Sequence, residues 1–161
     1  MLKDNYERMI KLADEFFKTK NDSSQISMTL EVMERLRKIH PGTLTEKRSK
    51  NGPVAWIALI PTTKDLMRKF TSGQITEKEL LEATPTGARY DALYLCSALV
   101  LPEYRRKGLA KSLVSKGVKS IMKKHPIKYL FYWEFSLEGK RLASVIAREF
   151  QLPLYTRASA E

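Results

Sequence analysis

The stretch Asp91–Lys124, DALYLCSALVLPEYRRKGLAKSLVSKGVKSIMKK, decides the fold of this chain. Its first part, Asp91–Leu101, is short, apolar and bounded by polar residues, which predicts a buried strand. Pro102 ends that strand, because proline has no N–H for a ladder hydrogen bond. From Leu109 onward apolar residues recur at three- and four-residue spacing, which predicts an amphipathic helix. The sequence therefore predicts a strand, a short junction and a helix.

The junction Arg105–Ala110, RRKGLA, has the features of an anion-binding site. The first turn of a helix carries unpaired N–H groups and the positive end of the helix dipole. Gly108 allows a phosphate to approach the backbone closely, and successive N–H groups can form a concave nest. Three cationic side chains add long-range attraction. These features alone would suit any phosphate.

The order of residues in this junction resembles the signature of the GNAT acetyltransferase superfamily. Arg105-x-x-Gly108-x-Ala110 fits the Q/R-x-x-G-x-G/A pattern of that family. The preceding residues 100–104, VLPEY, are similar to its V-x-P-x-Y lead-in. The resemblance implies a domain that binds acetyl-coenzyme A as a cosubstrate and uses no metal.

The resemblance also implies which residues contact acetyl-coenzyme A. The strand would bind the pantetheine arm through its backbone, and the junction would bind the pyrophosphate. The strand residues are Ala98, Leu99 and Val100, and the junction residues are Arg105, Arg106, Lys107, Gly108, Leu109, Ala110 and Lys111. From the residues alone, an ordinary cationic helix N-terminus remains the alternative.

Two amphipathic helices are predicted at the start of the chain. The first covers residues 5–18, and no strand is evident before it, although the family usually opens with one. The second runs over residues 28–39, with Ser27 as N-cap and Pro41-Gly42 after its end. We expect its inward face to consist of Leu30, Met33, Leu36 and Ile39.

A pair of strands is predicted next, at residues 44–48 and 54–60. Asn51-Gly52 is the expected hairpin turn, because both residues tolerate positive φ. Pro61 is expected to end the second strand. The following residues, 62–91, are too many for a loop without structure of its own. They predict two short helices, the second opened by the capping box Thr76-x-x-Glu79.

The helical insertion permits two interpretations: it covers the acceptor side of the cleft, or it is a surface hairpin. After the signature helix, residues 127–135 predict an aromatic-rich strand beside the signature strand. Residues 136–150 predict a helix, and the remaining chain has room for one short strand. The resemblance therefore implies a single domain over residues 1–161 of mixed α/β (α+β) class. We expect a mostly antiparallel central sheet flanked by helices and a shortened C-terminal hairpin.

Composition limits the partners and the location of the chain. The 161 residues include 29 Lys and Arg against 18 Asp and Glu, a net charge of +11 that favours anionic partners. No basic run marks a nucleic-acid tail, so coenzyme A is preferred to nucleic acid. No apolar run reaches the ~20 residues of a membrane span. The charged N-terminus and the single cysteine, Cys96, indicate a cytoplasmic protein, and a homodimer is compatible with the sequence.

Catalytic groups are less evident. Acyl transfer to an amine needs a proton acceptor, a donor for the thioester oxygen and an acid for the leaving thiolate. Glu134, at the end of the aromatic strand, is the candidate base, with an exposed salt-bridge partner as the alternative. Many family members place a tyrosine acid in the following helix, but Ala147 holds that position here. Tyr155 is the candidate substitute, and a plain strand tyrosine is the alternative.

The remaining reactive side chains have structural interpretations. Cys96 is more simply a small core residue than an acyl carrier. His40 and His125 are expected at the surface, and no second ligand recommends either as a metal site. Trp56 and Trp133 are expected in the core first and as walls of an acceptor pocket second.

The sequence thus predicts an N-acetyltransferase that transfers an acetyl group from acetyl-coenzyme A to a primary amine of a small molecule or peptide. A non-catalytic acyl-coenzyme A binding module and a basic nucleic-acid-binding protein are the alternatives. The first would bind acetyl-coenzyme A without turnover, and the second would bind oligonucleotides with an affinity that falls steeply with salt.

Overall fold

The computed structural model describes residues 5–17, 25–26 and 29–157, with no side-chain description for Phe16 and Phe17. The helices are α1 (Asn5–Phe17), α2 (Leu30–Ile39), α3 (Lys64–Thr71), α4 (Glu77–Ala83), α5 (Leu109–Met122) and α6 (Leu137–Phe150). The strands are β1 (Leu44–Ser49), β2 (Gly52–Thr62), β3 (Ala92–Val100), β4 (Tyr129–Trp133) and β5 (Leu154–Arg157).

The five strands form one mixed sheet in the order β1-β2-β3-β4-β5. The long ladders, β1 with β2 and β2 with β3, are antiparallel, and the short ladders of β4 with β3 and with β5 are parallel. The predicted fold class, a mixed α/β protein with a mostly antiparallel sheet flanked by helices, is confirmed. In the part of the chain that is described, β5 alone follows α6, as expected for a shortened C-terminal end.

Strands β3 and β4 pair over three residues only and then separate. Their last pair is Tyr94 with Phe131, although β3 continues to Val100 along β2. A bulge lies just beyond this point, because Ala58 pairs with Ser97 while the next residue, Leu59, pairs with Leu95. Cys96 is the extra residue of that bulge. The sheet therefore opens between β3 and β4 at the bulge.

The two faces of the sheet are covered by different helices. Gly117 of α5 lies over Leu59, while Met9 of α1 packs with Val54 and Leu99. Cross-strand partners share a face and alternate residues of a strand point to opposite faces. Leu99 pairs with Trp56, so Trp56 and Leu59 place α1 and α5 on opposite sides of β2. Helix α6 packs beside α5 and against β4 and β5.

The insertion between β2 and β3 contributes to the core. Phe70 of α3 is fully buried against the rings of Tyr94, Phe131 and Trp133, with centroids 5.0 to 5.9 Å away. Leu80 of α4 is also fully buried. The two helices of the insertion therefore bury one face in the core and expose the other, and the role in covering the acceptor side remains a prediction.

Local details differ from the sequence prediction around α2. The helix begins at Leu30, and the N-cap is Thr29, whose hydroxyl accepts a hydrogen bond from the Val32 N–H at 3.2 Å. The predicted N-cap, Ser27, lies outside the described residues. Leu30 was expected to face inward but is 75% exposed, because it occupies the first turn, beyond the packed part of the helix.

The hairpin also differs in its details. The two turn residues are Lys50 and Asn51, since Ser49 pairs with Gly52, and Gly52 alone has the positive φ, at 112°. Pro61 does not end β2 but lies inside it, paired with Leu93. The ladder of β1 stops at Ala58, so Pro61 lies where β2 has one neighbouring strand instead of two.

Candidate active site

The separation of β3 and β4 opens a cleft of about 630 Å³. Its walls are the second half of β3, the loop before α5, the first turns of α5, the end of β4 and the start of α6. The cleft is apolar along the strands and cationic at the loop. It therefore suits a long ligand with an apolar end and an anionic end.

The loop between β3 and α5 has the backbone geometry of an anion-binding nest. Arg106 and Gly108 both have left-handed φ angles, of 65° and 75°. Gly108 precedes the helix and brings no side chain to cap it, and a Cβ there would meet no atom within 4 Å. The first helical hydrogen bond runs from the Ser112 N–H to the Gly108 carbonyl. The N–H groups of residues 109–111 are therefore the ones that α5 leaves without an internal partner.

Two polar contacts hold this loop in place. The Arg105 Nε donates to the Val100 carbonyl oxygen at 3.0 Å, so the first residue of the signature is tied to the end of β3. Arg8 of α1 donates to both oxygens of Glu103 at 2.7 and 2.8 Å. This pairing lowers the pKa of Glu103 to about 2. The loop is thus tied to the end of β3 by Arg105 and to α1 by Glu103.

The structure brings almost all the predicted cosubstrate residues together. All of them except Lys107 line the cleft: Ala98, Leu99, Val100, Arg105, Arg106, Gly108, Leu109, Ala110 and Lys111. The Lys107 Nζ instead lies 5.6 Å from the centroid of the Tyr104 ring. Their contact with acetyl-coenzyme A remains a prediction.

The predicted catalytic residues lie elsewhere. Glu134 is not among the residues lining the cleft, and its carboxylate lies 3.9 Å from the Lys140 Nζ of α6. Tyr155 on β5 is 44% exposed and contacts the ring of Tyr129, outside the cleft. The arrangement matches the alternatives stated for both residues, a salt-bridge partner and a strand tyrosine. Their catalytic roles remain untested.

Two further side chains occupy the cleft wall. Trp133 lines the cleft, and its Nε1–H is buried without a hydrogen-bond partner among the described residues. Cys96 also lines the cleft and is half-buried, so the interpretation as a plain core residue is incomplete. A buried unpaired donor and a thiol therefore border the place where the strands separate.

A buried carboxylate lies behind Cys96, and no pattern in the sequence indicates it. Glu77 of α4 is 6% exposed, and its carboxylate accepts hydrogen bonds from the Tyr94 hydroxyl at 2.5 Å and from the Ile26 N–H at 2.8 Å. Its Oε2 lies 3.9 Å from the Cys96 Sγ. The capping box had located the start of α4, but it gave no reason to expect that Glu77, in the first turn, faces the core.

Burial shifts the ionisation of this cluster. Desolvation raises the pKa of Glu77, against the opposing effects of its hydrogen bonds with Tyr94, Ile26 and Cys96 and of the Arg157 charge. Desolvation and the nearby Glu77 carboxylate raise the pKa values of both the Tyr94 hydroxyl and the Cys96 thiol well above their usual range. At neutral pH Tyr94 and Cys96 are therefore protonated and can donate to Glu77.

Both histidines were predicted at the surface, but His40 is buried and His125 is half-buried. His40 is 5% exposed, and its Nδ1 accepts a hydrogen bond from the Gly42 N–H at 2.9 Å. Its ring lies 5.8 Å from that of His125. Desolvation lowers the pKa of both histidines. Neither histidine lines the cleft. The prediction failed for His40 because a proline next to a histidine does not reveal burial.

In the described residues, no group of three or more His, Cys, Asp or Glu side chains is placed to hold a metal ion. None of the helices in the same ranges combines the length and the apolar character needed to cross a membrane.

Comparison with known proteins identifies the family. The model of the acetyltransferase (GNAT) family matches residues 7–145, which include the loop and the cleft-forming strands. The chain therefore belongs to the GNAT acetyltransferase family. No curated protein sequence matches it.

Solved structures of several acetyltransferases are similar to the chain at low sequence identity. Naa20 of Chaetomium thermophilum, in complex with a bisubstrate analogue, is 14% identical, with a TM-score of 0.40 over 72% of this chain and 55% of that one. The aminoglycoside acetyltransferase meta-AAC0020 from an uncultured soil metagenomic sample, in complex with trehalose, is 15% identical, with a TM-score of 0.49 over 88% and 76%. Ribosomal-protein-alanine N-acetyltransferase of Brucella melitensis biovar Abortus 2308 is 11% identical, with a TM-score of 0.43 over 96% and 87%. The chain thus spans little more than half of the Naa20 chain.

Proposed function

We propose that this protein is a cytoplasmic N-acetyltransferase that uses acetyl-coenzyme A to acetylate a primary amine. The observation that carries the proposal is the cleft between β3 and β4, which ends at the left-handed backbone of Arg106 and Gly108. The N–H groups of residues 109–111 at this end suit a diphosphate. The apolar wall along Ala98–Val100 suits the pantetheine arm.

The chain can promote acyl transfer without a metal. Holding a thioester beside an amine supplies a large part of the rate enhancement, because the reaction becomes effectively unimolecular. Beyond the bulge at Cys96, β3 has no β4 ladder, so its backbone amides on that edge are available to the thioester oxygen as charge develops there. In the reaction the amine nitrogen forms a bond to the acetyl carbon, and the carbon–sulfur bond breaks with its electron pair on sulfur.

The acceptor is proposed by chemical class only. The net charge of +11 favours an acidic small molecule or an acidic peptide with a free amine. Electrostatic attraction of this kind accelerates encounter and weakens with ionic strength.

The proposal is tested by binding and turnover measured together. Isothermal titration with acetyl-coenzyme A should give saturable one-site binding. Mass spectrometry should then detect acetylation in a panel of amines that contains peptides with free α-amino ends, lysine, polyamines and aminosugars. Binding without turnover against the whole panel would favour the acyl-coenzyme A binding module. Oligonucleotide binding that falls steeply with salt, without acetyl-coenzyme A binding, would favour the nucleic-acid-binding protein.

A further inference from the structure

Glu77 joins three parts of the chain on the face of the sheet opposite α5. It is carried by α4 of the insertion, it accepts the Ile26 N–H from the segment between α1 and α2, and it accepts the Tyr94 hydroxyl from β3. Tyr94 pairs with Ile60, which is four residues after Trp56 on the regular part of β2 and therefore faces the same α1 side. The carboxylate thus lies on the side of the sheet away from the loop before α5.

Cys96 connects this carboxylate to the cleft. It lines the cleft as the extra residue of the β3 bulge, and its Sγ lies 3.9 Å from the Glu77 Oε2. One side chain therefore separates Glu77 from the point where β3 and β4 part. A water molecule beside the thiol could bridge a group in the cleft and the Glu77 carboxylate.

The groups around Glu77 keep it able to accept a proton. The titratable and charged groups that face it are Tyr94 and Cys96 on β3 and Arg157 on β5. The Arg157 guanidinium is held over the rings of Phe70 and Trp133, at 4.7 and 4.8 Å. Burial raises the pKa of Glu77, which brings its proton affinity closer to that needed near neutral pH.

We propose that Glu77 is the proton acceptor for the acceptor amine, reached through one water molecule at Cys96. The inference rests on the proposed acetyltransferase function. The acceptor reacts as the neutral amine, and its nitrogen lone pair forms the bond to the acetyl carbon. The carbon–sulfur bond breaks with its electron pair on sulfur, and the nitrogen passes its surplus proton through the water to Glu77. The thiolate takes a proton from solvent, and Glu77 later releases its own proton to solvent.

The first test is the pH dependence of kcat/KM, measured with acetyl-coenzyme A and whichever amine of the panel is acetylated. Two ionisations should limit the wild type at low pH, that of the amine and that of Glu77, so log kcat/KM should approach a slope of two. Glu77→Gln should lose at least about a hundredfold in kcat/KM near pH 8, within the usual range for a general base. Its slope at low pH should fall to one.

Companion variants separate a proton acceptor from a structural clamp. Tyr94→Phe removes a hydrogen bond that stabilises the charged carboxylate, which raises the pKa of Glu77. The part of the kcat/KM profile with a slope of two should therefore move to higher pH. Glu82→Gln changes an exposed carboxylate on the same helix and should leave the profile unchanged. If Glu77 only holds the 25–26 segment in place, Glu77→Gln lowers thermal stability and leaves the slope at two, which would overturn the proposal.

A second readout does not require turnover. Cys96 is the single cysteine of the chain, so its alkylation by iodoacetamide can be followed by mass spectrometry of the intact protein. The Glu77 carboxylate raises the pKa of the thiol, so Glu77→Gln should speed alkylation several-fold between pH 8 and 9. An unchanged rate would show that the two groups are not in contact and would overturn the proposal.

The outcomes distinguish this inference from the proposed function. A wild type that acetylates an amine, with Glu77→Gln retaining the rate and the slope, overturns the role of Glu77 and leaves the acetyltransferase function intact. A wild type that binds acetyl-coenzyme A and acetylates no amine overturns both. If Glu77→Gln fails to fold, the pH profile of Tyr94→Phe decides. A low-pH limb displaced to higher pH supports the role of Glu77, and an unmoved limb overturns it.

Discussion

The Arg105 Nε donates a hydrogen bond to the Val100 carbonyl oxygen, 3.0 Å away. This bond closes the turn between the end of β3 and the loop before α5, and it uses the first residue of the family signature. Arg105 therefore has a positioning role that is separate from its charge. The guanidinium geometry matters for such a bond, because the ammonium of a lysine is a point charge at the end of a flexible stem.

Lysine at position 105 should consequently fail to replace arginine. We expect Arg105→Lys and Arg105→Met to weaken acetyl-coenzyme A binding by similar amounts, roughly fivefold, since each loses about one hydrogen bond of ~1 kcal/mol. Isothermal titration measures the affinities at constant salt. Arg105→Lys with wild-type affinity, beside a weakened Arg105→Met, would show that only the charge contributes.

Gly108 provides a matched test of the phosphate end of the cleft. Its φ is 75° and a Cβ would meet nothing within 4 Å, so Asn and Asp, which tolerate this conformation, should both fold. Gly108→Asp places a negative charge against the proposed diphosphate, at a cost of about 3 kcal/mol for charges ~5 Å apart. It should bind acetyl-coenzyme A at least tenfold more weakly than Gly108→Asn. Equal affinities would place the diphosphate elsewhere.

The strand–loop–helix unit could be predicted from sequence because its physical causes are local. The apolar run of β3, the break at Pro102 and the spacing of apolar residues in α5 each act within a few residues. The capping box of α4 was predicted for the same reason, and the Glu79 and Thr76 side chains both make the expected backbone hydrogen bonds.

Properties that depend on distant contacts could not be predicted. Glu77 is buried because α4 packs toward Tyr94 and Ile26, and nothing in its neighbours along the chain indicates this. Pro61 stays inside β2 because β1 ends early, which depends on the length of a different strand. The sequence singled out Glu134 because its place at a strand end was visible, whereas the burial of Glu77 was not.

Packing between α5 and the sheet gives a stability prediction at Gly117. A Cβ there would lie 2.7 Å from the Leu59 Cδ1 and 3.2 Å from the Gly42 carbonyl oxygen. Leu59 is fully buried, so its side chain can move only by displacing its neighbours, and overpacking at ~1–3 kcal/mol should exceed the ~1 kcal/mol that alanine gains in a helix. We expect Gly117→Ala to lower the free energy of unfolding by about 1 kcal/mol and Tm by about 2–4 °C.

The cause of that loss can be isolated with a double-mutant cycle measured by urea unfolding. Leu59→Val removes the atom that the new Cβ would meet, so Gly117→Ala should cost less in the Leu59→Val background than in the wild type. A cost that is the same in both backgrounds would mean that the Gly42 carbonyl alone opposes the methyl group. A stabilised Gly117→Ala single variant would contradict the packing argument altogether.

The bidentate pair of Arg8 and Glu103 predicts an unusual titration. The Arg8 hydrogen bonds hold the pKa of Glu103 at about 2, against an ordinary value of 4.5. Because the folded value is the lower one, the pair contributes stability above about pH 4.5, and that contribution disappears as pH falls toward about 2.

Carbon-13 NMR of the glutamate carboxyl groups should show Glu103 still ionised at pH 3. Arg8→Met should raise the pKa of Glu103 toward 4.5, whereas Lys11→Met, which removes an exposed cation from the same helix, should not. A wild-type Glu103 that titrates like the other exposed glutamates would mean that α1 is not tied to the loop in solution.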